Sequence, residues 1–124
     1  MSENFYIHPD ITKAETLPAR FYKEDAIFNS MKEKVFLKSW QWIGDIILVE
    51  KPLSIHPFIL LDGFLTEPIV LTKDSDDNLN CLTNDCTHRG NIVALNTGES
   101  KKLTSSYHGR RCNLKCEFEY MPEF

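Results

Sequence analysis

The sequence predicts a mainly β fold, a small antiparallel β-sandwich or barrel, preceded by one N-terminal helix. Three observations indicate this fold. Residues 23–37 have the periodicity of an amphipathic helix, and no later segment repeats it. From Trp40 onward, short segments are rich in the aromatic and β-branched residues that favour strands. Turn signals separate these segments, as expected for an antiparallel all-β arrangement. They lie at 63–66, 75–78, 98–100 and 113–115.

The N-terminal part of the chain predicts an arm followed by the helix. Residues 1–20 are polar and aperiodic, which is typical of an extended terminal segment. In the helix that follows, Ile27, Met31 and Val35 recur at every fourth position. We therefore expect a helix with one apolar face.

The strands are predicted from the pattern that follows. Two of them are expected to flank the turn at 63–66, and no composition shift or repeat marks a further domain. The predicted domains are 1–39, the arm and helix, and 40–124, a β domain truncated at its C-terminal end. The predicted strand segments are 40–50, 57–63, 67–74 and 79–85.

Composition and charge exclude several classes of function. The 124 residues include 14 basic and 18 acidic side chains, and a net charge of −4 argues against nucleic-acid binding. No apolar run approaches the roughly 20 residues that span a bilayer. The first ten residues have neither a basic start nor an apolar core, so we expect no secretory signal and a cytoplasmic location. In that compartment, four cysteines favour metal binding over disulfides.

Two short segments carry the candidate chemistry: 86–90, Cys-Thr-His-Arg-Gly, and 105–109, Ser-Ser-Tyr-His-Gly. In each, a glycine follows the histidine, which lets the backbone turn tightly and approach a bound group closely. Cysteine thiolates and histidine imidazoles suit zinc or iron–sulfur centres rather than magnesium or calcium. Because Cys86 and His88 share one predicted loop and His108 lies on the other, the residues by themselves indicate a metal site.

These segments resemble the signature of Rieske 2Fe-2S domains, Cys-x-His-Arg-Gly followed by Cys-x-Tyr-His-Gly. The version here is most similar to the N-terminal part of the large (alpha) subunit of aromatic ring-hydroxylating oxygenases. Sixteen residues, 89–104, separate His88 from the second cysteine position, a spacing typical of that family. Downstream, Arg110 and the tail 117–124 resemble the strand that closes the second loop. Upstream, the matching positions are Phe28, Glu33, Phe36, Trp40 and Gly44.

The resemblance implies a Rieske-like sandwich with two cluster-binding loops and a 2Fe-2S cluster. In that family two thiolates hold one iron and two imidazoles hold the other. Cys86 would then bind the inner iron, and His88 and His108 the outer iron. Ser105 stands at the fourth ligand position, where the family has cysteine. Arg89 is expected to fix its loop by ion pairing. The other supporting residues implied are Gly90, Tyr107 and Gly109.

The resemblance also implies an electron-transfer function. A reductase or ferredoxin would reduce the cluster, which would pass electrons to a mononuclear iron in the catalytic domain of the parent oxygenase, on a neighbouring subunit of a trimer. Such an iron is held by two histidines and a carboxylate. No histidine follows His108, so that site is not expected in this chain. We therefore expect an oxidoreductase component that does not hydroxylate by itself, with no nucleic-acid or membrane partner.

Ser105 leaves three readings of the site open. A serine alkoxide is a harder ligand than a thiolate, so a cluster here is expected to be less stable and to have an altered potential. In the second reading the chain is a metal-free structural module, which the charge of Asp85 also favours. The third is a zinc-stabilised domain. Its ligands would be Cys86, His88, His108 and Cys112.

The remaining cysteines have their own alternatives. Cys112 and Cys116 could form a disulfide across the turn at 113–115, or Cys112 could replace the missing ligand. The interpretation we favour is that both are unrelated buried thiols. Cys81, on a predicted strand, is expected to be a core thiol.

Overall fold

A computed structural model describes residues 4–122 of the chain. The chain forms two compact units, Met1–Gln41 and Trp42–Phe124. The domain division predicted between residues 39 and 40, and the truncation at the C-terminal end, stay predictions. Within residues 4–122 no helix combines the length and the apolar character needed to cross a membrane.

One α-helix dominates the first unit. Helix α1 spans Asp25–Lys34, so the helix predicted over 23–37 is confirmed but shorter at both ends. Asp25 lies in its first turn and Lys34 in its last, which complements the helix dipole. None of its residues is buried, and Ile27 on the predicted apolar face is half-buried. Short 3₁₀ helices flank it at Ala19–Tyr22 and Phe36–Lys38.

Seven strands build the second unit, and they form two antiparallel sheets. The larger sheet has the order β3-β2-β1-β4, and the smaller has the order β5-β6-β7. With one α-helix in the described chain, the mainly β prediction is confirmed. The strands are β1 Ser54–Leu60, β2 Glu67–Lys73, β3 Leu79–Thr83, β4 Gly98–Glu99, β5 Leu103–Thr104, β6 Arg111–Cys112 and β7 Phe118–Tyr120.

The larger sheet confirms the predicted hairpin and corrects a predicted turn. Strands β1 and β2 pair antiparallel around residues 61–66, with Ile55 opposite Thr72. The turn predicted at 98–100 is wrong, because Gly98 pairs with Ile55 as part of β4. Gly98 has a turn-like composition, but the open edge of β1 offers it a hydrogen-bonding partner.

The strand predicted over 40–50 is also wrong. Its second half forms a 3₁₀ helix at Ile46–Val49, and the Asp45 carboxylate accepts a hydrogen bond from the Ile47 backbone N–H at 3.1 Å. Gly44 precedes this turn with a φ of 132°. This conformation and the aspartate cap redirect the backbone, so local turn chemistry overrides the β propensity of the segment.

A small apolar core joins the two sheets. Its buried members are Val70 of β2, Leu103 of β5, and Ala94 and Leu114 from the connecting loops. The fully buried Thr72 hydroxyl donates a 2.6 Å hydrogen bond to the Leu114 carbonyl, which ties β2 to the turn after β6.

A polar network joins the turn after β2 to the turn after β6. The Asp74 carboxylate accepts hydrogen bonds from the Asp76 and Asn78 backbone N–H groups, both at 2.9 Å, and lies 3.3 Å from the Lys115 ammonium. Burial alone raises the pKa of Asp74. The hydrogen bonds outweigh this effect and lower that pKa from 3.8 to about 2.

Candidate metal centre

The first candidate loop leaves β3 and is closed by two backbone hydrogen bonds. The Cys86 N–H donates to the Asn91 carbonyl at 2.8 Å, and the Gly90 N–H donates to the Cys86 carbonyl at 2.8 Å. Gly90 has a φ of 66°, a left-handed conformation that glycine adopts at low cost. This closure directs the Cys86 and His88 side chains from one short turn.

The second loop joins β5 to β6 and repeats the same closure. The Ser105 N–H donates to the Arg110 carbonyl at 2.8 Å, and the Gly109 N–H donates to the Ser105 carbonyl at 3.0 Å. Gly109 has a φ of 68°. Ser105 therefore occupies in its loop the position that Cys86 occupies in the first. His108 lies one residue later in its loop than His88 does in the first.

Two asparagines hold the loops in place, and the sequence patterns did not single out either of them. The buried Asn84 side chain donates to the Ala94 carbonyl and accepts from the Ala94 N–H, both at 2.8 Å, so it fixes both ends of the first loop. The Asn91 side chain donates to the Ser106 hydroxyl at 3.1 Å and joins the two loops. The sequence did offer one signal for this role, because Asn84 lies just before the candidate ligand loop at 86–90.

The two loop histidines face each other. Their Nδ1 atoms lie 3.1 Å apart, and their ring centroids are separated by 4.6 Å. At this distance one ring can donate a proton to the other, or both nitrogens can direct lone pairs at one cation. With metal–nitrogen bonds of about 2.1 Å, nitrogens at this separation subtend about 95° at one ion. The exposed His88 and half-buried His108 thus form a pair of nitrogen donors at the surface.

Cys86 and Ser105 form a second pair, on the inner side of the loops. Their relative exposures are 8% and 3%, so both side chains are removed from solvent. Burial alone raises the pKa of the Cys86 thiol. Hydrogen bonds from the His88 N–H and the Ser105 hydroxyl, with the nearby charge of Arg110, reverse this effect and lower that pKa below its usual value. This favours the thiolate, which is the ligating form of cysteine.

The donor set fits a two-ion group better than a single ion. Residues 4–122 contain no cluster of three or more His, Cys, Asp or Glu side chains that could hold one metal ion. The zinc set predicted from Cys86, His88, His108 and Cys112 is therefore not assembled. A buried pair and a surface pair are the pattern that two irons require, and Ser105 is the one position of the inner pair that lacks a sulfur donor.

Of the residues predicted to support the loops, Arg89 has a different role from the one expected, whereas Tyr107 has the expected one. Arg89 makes no salt bridge within the described residues. Its guanidinium lies 6.0 Å from the centre of the Tyr107 ring, so the predicted ion pairing is wrong and a cation–π contact replaces it. The Tyr107 ring packs on His108 with centroids 4.0 Å apart, as the packing prediction expected.

Three of the four cysteines differ from their predicted environments. Cys81 lies on β3 as predicted but is exposed, so it is not a core thiol. Cys112 is half-buried and Cys116 is exposed, and both are free. The two are not unrelated, because both side chains line one small cavity.

Comparison with known proteins defines the class that this fold and site indicate. The family model described as "Rieske [2Fe-2S] domain" matches residues 62–124. The chain belongs to the Rieske [2Fe-2S] domain family, as the resemblance predicted. Membership of this family implies a 2Fe-2S cluster as its cofactor.

Relatives of the chain are subunits of Rieske oxygenases. It is 33% identical over 109 residues to the carnitine monooxygenase oxygenase subunit of Escherichia coli (strain K12), a match covering 87% of this chain and 28% of that protein. It is 29% identical over 102 residues to the benzene 1,2-dioxygenase subunit alpha of Pseudomonas putida, covering 78% of this chain and 21% of that one. The chain thus spans about a quarter of the length of these curated relatives.

Solved structures share the fold. The quaternary ammonium Rieske monooxygenase CntA, solved with an inhibitor, matches with a TM-score of 0.76 at 24% identity, over 85% of this chain and 28% of that one. Naphthalene 1,2-dioxygenase with bound indole matches with a TM-score of 0.70 at 18% identity, over 82% of this chain and 22% of that one. At these identities the matches show the fold alone, and they confirm the predicted Rieske-like architecture.

Proposed function

We propose that this chain is the electron-transfer domain of a Rieske oxygenase, and that its two loops hold the cluster. Cys86 and Ser105 are the proposed ligands of the inner iron, and His88 and His108 those of the outer iron. The observation that carries the proposal is the repeated loop closure, which brings together a buried pair of donors and a surface pair with nitrogens 3.1 Å apart.

The bound cluster would supply one-electron redox chemistry, and this chain's residues set the conditions for it. Neutral imidazoles in place of two thiolates leave such a cluster less negative and raise its potential above that of all-cysteine clusters. The positive charge of Arg110 beside Cys86 acts in the same direction. Because His88 is exposed, the imidazole edge is the proposed route by which electrons enter and leave.

The proposed partners follow from the relatives. A reductase or ferredoxin in the cytoplasm would donate the electron, and a mononuclear iron in an oxygenase catalytic domain would receive it. One similar structure is described in terms of inter-subunit electron transfer, which supports an acceptor on a neighbouring subunit. The relatives include a carnitine monooxygenase and a benzene dioxygenase, so this domain is compatible with either class of substrate.

The test is the metal content of the full chain, purified anaerobically. Iron, zinc and acid-labile sulfide are measured per chain, and EPR is recorded on the dithionite-reduced sample. We expect iron and sulfide near two each, with a Rieske-type signal. His108→Ala should abolish this signal. His56→Ala is the matched control, because the His56 ring contacts Thr97 at 2.9 Å and has no part in the loops.

Ser105 favours a second candidate, a folded module without a metal. A chain that unfolds cooperatively, with neither iron nor sulfide, would contradict the electron-transfer proposal and support this alternative. Zinc without sulfide would contradict both. Equal loss of the signal in His108→Ala and His56→Ala would show that the signal reports general folding rather than the proposed ligands.

A further inference from the structure

Two free thiols meet beside the proposed cluster site. Cys112 ends β6, and Cys116 lies in the turn that leads to β7. Only three residues separate them, and both side chains line one small cavity. Cys112 is half-buried and Cys116 is exposed, so a small reagent can reach this pair from solvent.

The turn between these cysteines is held by its own hydrogen bonds. The Asn113 side-chain oxygen accepts from the N–H groups of Lys115 and Glu117, both at 2.9 Å, and the Cys116 N–H donates to the Asn113 carbonyl at 3.0 Å. Because these hydrogen bonds already fix the turn, joining the two cysteines would cost little further backbone entropy.

Cys116 is itself in an unusual conformation. Its φ is 65°, in the left-handed region that non-glycine residues adopt only at a cost. A side chain is therefore held where glycine would be less strained, and it lines the same cavity as Cys112. A backbone outlier of this kind is a reason to look for a function of the side chain.

A cavity and the positive charge of Arg110 lie beside Cys112 and Cys116. Both cysteines line a cavity of about 80 Å³ that Cys86 and Ser105 also line, and Arg110 at the same cavity has its Nε buried without a hydrogen-bond partner in the described structure. Burial and the neighbouring Cys116 raise the pKa of the Cys112 thiol, and the nearby charge of Arg110 opposes this effect only in part. The thiolate is the reactive form in disulfide exchange, so we expect the exposed Cys116 to react first and the half-buried Cys112 to react second.

We propose that Cys112 and Cys116 form a second redox site, a dithiol that closes to a disulfide when it meets a small-molecule disulfide such as glutathione disulfide. The exposed Cys116 thiolate attacks one sulfur of the reagent, forms a mixed disulfide and releases one glutathione. Cys112 then attacks the Cys116 sulfur and releases the second. The dithiol loses two electrons and two protons, and glutathione disulfide is reduced to two thiols.

Trypsin gives a direct test, because Lys115 lies between the two cysteines. Cleavage after Arg111 and Lys115 separates 112–115, CNLK, from 116–124, CEFEYMPEF. Both other cysteines fall in the peptide 74–89. The full chain is treated with glutathione disulfide, remaining thiols are alkylated, and the digest is analysed by mass with and without reductant. We expect two of the four thiols to be lost and the peptides 112–115 and 116–124 to be joined.

Matched variants distinguish the proposed site from general oxidation. Cys112→Ser should abolish the link and leave glutathione on Cys116, whereas Cys81→Ser should leave the link unchanged. Four unreacted thiols, a link between 74–89 and 112–115, or a link between two chains would each overturn the proposal. The result does not depend on iron, so its failure is distinct from failure of the proposed electron-transfer function.

Discussion

Cys86 and Ser105 occupy the same position in two loops of equal backbone closure, and both buried side chains line one small cavity. The inner pair of donors therefore differs from two thiolates by one atom, oxygen in place of sulfur. Cys112 and Cys116 line the same cavity, but neither occupies the loop position that Ser105 holds.

Restoring the sulfur should raise the cluster content. We expect Ser105→Cys to bring iron and acid-labile sulfide closer to two each per chain than in the unchanged chain, because thiolates bind iron–sulfur clusters more strongly than alkoxides do. Ser75→Cys is the matched control, since Ser75 is exposed in the turn after β2 and has no part in the two loops. An iron content that Ser105→Cys does not change would argue against Ser105 as a ligand position.

Replacement of Asn84 should destabilise the domain. Asn84→Ala removes two hydrogen bonds to Ala94 and leaves the backbone groups of Ala94 buried without partners. We expect a loss of about 1–3 kcal/mol in the free energy of unfolding, measured by urea denaturation. Asn96→Ala, at an exposed asparagine two residues beyond Ala94, should change it by less than about 0.5 kcal/mol. Equal losses in the two variants would contradict this role of Asn84.

The Asp74 network predicts an acid-sensitive component of stability. The pKa of Asp74 is lowered from 3.8 to about 2, so its ionised form stabilises the folded state. That contribution is complete above pH 3.8 and is lost as the pH falls toward 2. We therefore expect the difference in thermal unfolding midpoint between the wild type and Asp74→Asn to be largest near neutral pH and to shrink over this range. A difference that does not vary between pH 5 and pH 2 would contradict the assignment.

Cys116→Gly should stabilise the domain. The left-handed backbone at Cys116 costs a non-glycine residue about 1 kcal/mol, which glycine relieves. Urea denaturation under reducing conditions should show a free energy of unfolding that is higher by this amount. Cys116→Ala removes the same thiol but keeps the strain, so it serves as the control and should show no comparable gain. A higher stability in both variants would indicate that the thiol, and not the backbone, is unfavourable.

Sequence reasoning was most successful where the chemistry lies in short motifs. The spacing of 86–90 and 105–109 predicted the family, and alternating apolar segments around a turn predicted the β1–β2 hairpin. Sequence reasoning failed where the conformation of a segment depends on a partner that is distant in the chain. Gly98 pairs with β1, 43 residues earlier, and nothing near Gly98 in the chain indicates that partner.

The failure at residues 40–50 has a local cause. Trp40, Trp42 and the isoleucines of this segment favour strands, but Asp45 caps a 3₁₀ turn and the tryptophans stay exposed. The environment of Cys81 was missed for a related reason. Alternation along β3 shows that its side chains face opposite sides, but it does not tell which side faces water.

The two candidate loops leave different sheets, the first after β3 and the second between β5 and β6. A group bound by both loops is consequently a cross-link between the sheets, and its binding energy adds to the stability of the folded chain. Where iron is scarce, newly made chains would unfold more often and be degraded faster by cellular proteases. The abundance of the protein would then follow the iron supply without a dedicated regulator.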